Sequence, residues 1–147
     1  MADISTQDVI NSINQVITKI DIKNVAYVTR KHKLLNVSLS FPFIYTSYDS
    51  SAMRIDNRLK LVNDNIFSRE KSNAFSINEL CNFLKQKNAK EIIMIGFLAD
   101  EYLYDSILEG KKLGYDMYVI PQAIIGKSQK GKNESIKKLI TNGIQIL

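Results

Sequence analysis

This sequence predicts an α/β fold, a mainly parallel sheet between layers of helices, and three observations carry the prediction. Segments with apolar residues at helical spacing alternate with short apolar segments, the pattern that places helices on both faces of a parallel sheet. One of the short segments, Glu91 to Gly96 (EIIMIG), is a continuous apolar run, as a strand covered on both faces requires. The chain has 147 residues, 45% apolar and 24% charged, without internal repeat or linker, which suits one domain with its own core.

The elements follow in order. Ser5 or Thr6 caps a helix from about Thr6 to Ile20, whose inner face is Val9, Ile13, Val16, Ile17 and Ile20. Asn24 to Thr29 (NVAYVT) is β-branched and aromatic, hence a buried strand. Arg30 to about Lys60 is polar and aromatic, reads as loop, and allows one helical turn near Met53 to Leu59. Asn65 to Ser68 forms a short strand. Ser76 and Glu79 have capping-box spacing for a helix from Ile77 to about Lys87. After the Glu91 strand, Asp100 to Leu113 reads as a helix closed by Gly114. Tyr115 to Ile120 is a strand stopped by Pro121. A helix from about Asn133 to Thr141 and a terminal strand, Ile144 to Leu147, complete the chain.

Composition excludes several function classes. One cysteine cannot form an internal disulfide, and one histidine cannot build a histidine-rich zinc site, so no metal or other cofactor is expected. Neither a signal peptide nor a membrane-length apolar run is visible, so no membrane partner is expected and the cytoplasm is the default location. The net charge of +5 is scattered except at Arg30, Lys31 and Lys33 and in the Lys127, Lys130, Lys132 group, which favours weak attraction to anions over nucleic-acid recognition. No GxGxxG or Walker loop supports nucleotide use.

Three segments, REKSNAFSINEL (Arg69 to Leu80), GFLADEYL (Gly96 to Leu103) and GYDMYVIPQA (Gly114 to Ala123), carry a further reading. In order and spacing they resemble motifs of the isochorismatase-like cysteine hydrolases: a lysine ahead of an alanine-phenylalanine helix start, a glycine followed by the catalytic cysteine's helix, and a GYxVxVVxDA strand. The resemblance covers about Asn24 to Leu147. It implies a three-layer, Rossmann-like fold and, in the family, a thiolate at a helix N-terminus attacking an amide-like carbon with an aspartate as base and a lysine nearby. A helix N-terminus and an adjacent cation would depress such a thiol's pKa. Members that cleave isochorismate use the fold without the cysteine, on a vinyl ether.

Carried over residue by residue, Gly96 and Asp100 match, Ala99 replaces a threonine or serine, and Gln122 replaces the third motif's aspartate. Arg69 stands at the lysine position and Tyr102 at the cysteine position. Ahead of Thr6 there is no room for the family's first strand and its aspartate base, so that strand is expected to be missing; a start upstream of Met1 would explain the same shortening. Asp3 lacks a preceding strand to hold it as a substitute base.

Each candidate has a plain reading beside a functional one. A phenol with a pKa near 10 is only about 0.1% ionised at neutral pH, so Tyr102 reads as an aromatic plug or a hydrogen-bond donor at a pocket rim. Arg69 cannot act as a base; it either binds a carboxylate in a residual pocket or reads as a solvated surface charge. His32 follows the NVAYVT strand, where some family members have a metal-binding histidine, but it has no neighbouring ligand in sequence. Asp100 suffices as a helix cap. Cys81 shares a helical face with Ile77, Leu80 and Leu84 and reads as a buried, inert thiol; Ser106 lies too deep in its helix to replace the nucleophile. Tyr27, Phe41, Phe43, Tyr45 and Tyr48 either pack the long loop or line a binding face. Lys127, Lys130 and Lys132, around Gly126 and Gly131, read as a solvated loop, with an anion-contacting lid as the alternative.

The sequence therefore predicts a catalytically impaired isochorismatase-like domain that binds a small carboxylate- or amide-bearing ligand or associates with copies of itself or a partner subunit. Arg69, Gly96, Ala99, Asp100, Tyr102 and His32 are its candidate ligand contacts. The rival is an active hydrolase of a small amide or vinyl ether using chemistry other than a cysteine's.

Overall fold

Every strand pairing among the described residues is parallel, and the described connections of β3 to β4 and β4 to β5 are helical, as parallel pairs need crossovers. The computed structural model describes residues 6–30, 58–69, 73–97 and 102–147. The elements are α1 (Thr6–Lys19), β1 (Tyr27–Arg30), β2 (Ile66–Arg69), α2 (Asn78–Gln86), β3 (Glu91–Phe97), α3 (Tyr102–Lys112), β4 (Asp116–Ile125), α4 (Gln129–Thr141) and β5 (Gln145–Ile146). Short 3-10 turns at Ile22–Asn24 and Ala74–Ser76 precede β1 and α2. The expected helical turn near Met53 falls largely on residues outside those described. No helix among the described residues is long and apolar enough to cross a membrane.

The strands form two sheets, β1-β2 and β3-β4-β5. They are not hydrogen-bonded to each other, yet they share apolar clusters on both faces. On one face, α1 brings Val9, Ile13 and Ile17 against Tyr27, Ala123 and Ile125, with Ile95 and Ile120 packed alongside. On the other, Ala74, Ile77 and Leu80 gather Ala26, Val28, Phe67 and Met94. Neighbouring residues of β1 (Tyr27, Val28) and β3 (Met94, Ile95) thus point into opposite clusters, so both sheets occupy one layer between helices. The third cluster, Leu103, Ile107, Met117, Val119, Ile124, Leu139 and Ile144, joins α3 and α4 to β4.

Several sequence expectations shift. The first strand begins at Tyr27, because Asp21 caps a 3-10 turn over Ile22–Asn24 by accepting from the Lys23 N–H (3.0 Å). No capping box forms at Ser76. Its hydroxyl donates to the Asn73 carbonyl (2.6 Å) inside the 3-10 turn, and α2 starts after Ile77 without a side-chain cap. Pro121 does not stop β4, which continues to Ile125. Met94 faces Val119 but Gly96 faces Ile124, two steps along β3 against five along β4. The extra residues of β4 form an irregularity that contains Pro121, where a missing N–H breaks no ladder bond. The last helix begins at Gln129, earlier than Asn133, because Ser128 caps it by accepting from the Gly131 N–H (3.0 Å). Lys130 and Lys132 are therefore helical rather than loop residues.

Candidate functional site

Ligand sites of parallel α/β sheets lie beyond the carboxyl ends of the strands. Here that edge carries Arg69 at the end of β2, Gly96 near the end of β3, Tyr102 as the first residue of α3, and Gly126 and Ser128 between β4 and α4. Gly96 has φ +128°, a conformation that disfavours any side chain, although a Cβ there would meet nothing within 4 Å. Backbone geometry at the strand's end, not crowding, selects the glycine. Arg69 and Tyr102 are described by their backbones. His32, Ala99, Asp100 and Asp3 lie outside the described residues, as do the loop aromatics Phe41, Phe43, Tyr45 and Tyr48.

The helix led by Tyr102 is held by burial and by one internal hydrogen bond. Leu103 and Ile107 are 5% and 0% exposed in the core. One turn beyond Tyr102, the fully buried Ser106 accepts the Ala74 N–H at 2.8 Å, tying the segment after β2 to α3. Ser106 is thus a structural acceptor. Phe75 stacks on Tyr115 beside it, with ring centroids 5.7 Å apart. Next to that junction the side-chain oxygen of Asn73 is buried and accepts no hydrogen bond. A buried acceptor without a donor is the kind of atom that a ligand or an ordered water satisfies.

Cys81 stands apart from this edge. Its thiol donates to the Phe75 carbonyl at 3.3 Å, while Ile77 and Leu80 of the same face are buried. Tyr27, expected either to pack or to line a binding face, packs: it is 8% exposed, and its hydroxyl donates to the Lys60 carbonyl (2.6 Å) and accepts from the Val62 N–H (3.1 Å).

The lysine group departs most from its expected loop. Lys127 and Lys130 are exposed, but Lys132 is 6% exposed, with its stem against Gly126, and burial pushes its amine below the usual lysine range. Ser128 three residues before Gly131 was the readable signal of a helix cap. Two glycines and three lysines in seven residues obscured it.

No three His, Cys, Asp or Glu side chains converge as metal ligands among the described residues. The Isochorismatase domain family model matches residues 2–147. No curated protein sequence matches significantly. Solved structures do. The pyrazinamidase/nicotinamidase of Streptococcus mutans superposes with a TM-score of 0.74 at 18% identity, over 96% of this chain and 86% of that one. The pyrazinamidase of Pyrococcus horikoshii, solved in complex with zinc, gives 0.73 at 17% identity, over 98% and 87%. The YcaC gene product of Escherichia coli, an octameric hydrolase of unknown specificity, gives 0.60 at 15% identity, over 87% and 76%. At these identities the likeness is one of fold.

Proposed function

Because the chain belongs to the isochorismatase family, we propose that it is a catalytically impaired member, a small-molecule-binding or protein-association module built on a hydrolase fold. This reading is supported by Tyr102 as the first residue of α3, the position to which the resemblance of GFLADEYL to the family motif would assign the nucleophilic cysteine. A helix N-terminus lowers the pKa of an anionic nucleophile, but even its upper effect of about 2 kcal/mol is only about one and a half pKa units. A phenol three units above neutrality stays protonated.

Ligand binding is supported by the unsatisfied Asn73 oxygen beside the α3 junction and by Arg69 at the end of β2, suited to a carboxylate. Association is supported by the octameric assembly named for the Escherichia coli neighbour. The rival reading, an active hydrolase with non-cysteine chemistry, draws on the amidase names of the Streptococcus and Pyrococcus neighbours. A panel of nicotinamide, pyrazinamide and vinyl-ether substrates separates the two. The impaired reading expects no turnover above buffer; turnover lost in Arg69→Ala supports the rival. Size-exclusion chromatography with light scattering tests association, and a monomer at every concentration counts against it.

A further inference from the structure

The break between the two sheets has a strand edge on each side. Tyr27 of β1 and Ile95 of β3 join the α1 cluster that spans both sheets, while no residue of β2 or β5 does. β1 and β3 are therefore the strands that face each other across the break. Their side chains reach shared clusters on both faces, yet no backbone bond joins them among the described residues, the relation of second neighbours in a sheet.

The two ladders fix which backbone groups line the break. Tyr27 donates its N–H to the Asn65 carbonyl (2.9 Å), so Tyr27 and Thr29 turn their backbone groups to β2 and Val28 turns its N–H and C=O the other way. Asp116 donates its N–H to the Lys90 carbonyl (2.8 Å), so Lys90, Ile92 and Met94 serve β4, and Ile93 and Ile95 present their N–H and C=O to the break. Such groups require a partner, and at a strand edge that partner is water or another strand.

Burial points to another strand. EIIMIG has the composition of a strand enclosed on all sides, but Ile92, Ile93, Met94 and Ile95 are all only half-buried. In the neighbouring β4, Met117, Val119, Ala123, Ile124 and Ile125 are buried. Met94 and Ile95 reach clusters on opposite faces of the layer, so both faces of β3 are covered and its open surface lies along its edge.

We propose that the break between β1 and β3 is a slot that takes up one extended segment of a different polypeptide as an added strand, hydrogen-bonded along both of its edges. The walls define the occupant's chemistry. Tyr27 to Thr29 and Ile92 to Ile95 carry no charge, and apolar clusters lie on both faces, so the segment is uncharged and rich in β-branched residues on both of its own faces. A second copy is a poor donor, because each strand among the described residues is already paired within its own chain. The slot is independent of Tyr102 and of any turnover.

The test is amide hydrogen exchange of the full chain, followed by NMR with and without a probe peptide. The probe is a run of alternating valine and isoleucine about as long as β3, capped at both ends and flanked by lysines for solubility. In the chain alone, the Val28, Ile93 and Ile95 amides should exchange faster than those of Ile92 and Met94. The peptide should slow those three amides saturably, by about tenfold or more. The same peptide N-methylated at two central residues keeps its side chains but loses ladder donors, and should bind at least about tenfold more weakly. No added protection at the highest soluble peptide concentration overturns the proposal, as does equal binding of the N-methylated peptide, which would mean apolar adhesion only. So does protection already present in the monomer, which would mean a slot closed by the chain itself, or protection that rises with protein concentration alongside a dimer in light scattering, which would make the occupant a second copy.

Discussion

The two sheets of this protein are held by different physics. Around β4, the core is apolar and sealed: Ile107, Val119, Ile124 and Leu139 are all 0% exposed, and β4 alone is ten residues long. Around β1 and β2, the strands are four residues each, and much of the fixation is polar. Tyr27 binds the backbone of Lys60 and Val62 through one hydroxyl. Asn14 of α1 donates to the Arg58 carbonyl (3.0 Å) and accepts from the Lys60 N–H (2.7 Å). Asn63 donates to the Val25 carbonyl (2.8 Å). Hydrophobic burial is the larger, non-directional contribution; here Val25, Leu59 and Val62 are only partly buried against the α1 cluster, and the polar staples fix their position.

That contrast ranks the consequences of substitution. Ile107→Ala should cost about 2–5 kcal/mol, because a sealed site between α3 and β4 collapses poorly around a cavity. Chemical denaturation should show it to be more damaging than any change to the polar staples. A cost below about 1 kcal/mol would mean the β4 core is looser than its burial implies. Tyr27→Phe keeps the ring in the α1 cluster and removes only the hydroxyl. It leaves the Lys60 carbonyl and Val62 N–H without their shared partner, at about 1–3 kcal/mol. If Tyr27→Phe proved as costly as Ile107→Ala, the distinction between an apolar and a polar half would fail.

The same contrast explains how much was legible in the sequence. Burial leaves a period: EIIMIG, the α1 stripe at Val9, Ile13 and Ile17, and the helix ending at Gly114, with φ +96°, could all be read from spacing and composition. The staples leave none, since Asn14 and Lys60, or Tyr27 and Val62, are separated by loop sequence that carries no pattern. Pro121 misled for a related reason. Its cost depends on whether the partner strand presents a ladder bond there, and the β3–β4 register is set by tertiary pairing. At the candidate site, the motif spacing singled out Arg69, Gly96 and Tyr102, whose backbones lie at the carboxyl ends of strands β2 and β3 and at the start of α3. Lys132 was missed because its burial depends on Gly126 packing against it, which composition does not encode.

The smallest expected effect has the opposite sign. Lys132→Met removes an unpaired, partly desolvated ammonium and should raise Tm by up to roughly 2–4 °C, the shift about 1 kcal/mol gives at this size. The folded-state pKa lies below the ordinary 10.5, so the unfolded chain binds more protons between the two values and the unmodified protein gains stability as pH rises through that window. The advantage of methionine is therefore full at neutral pH and shrinks toward pH 10.5. A variant less stable than the parent at neutral pH would show that the ammonium is partnered after all.

The proposed function rests on a tyrosine at the position where the family resemblance puts a cysteine, and ammonia release from the small-amide panel, compared between the unmodified chain and Tyr102→Phe, tests it most directly. The account predicts that both remain at the rate of buffer alone and are indistinguishable. Release well above buffer that disappears in Tyr102→Phe, with the variant's melting curve unchanged, would contradict it.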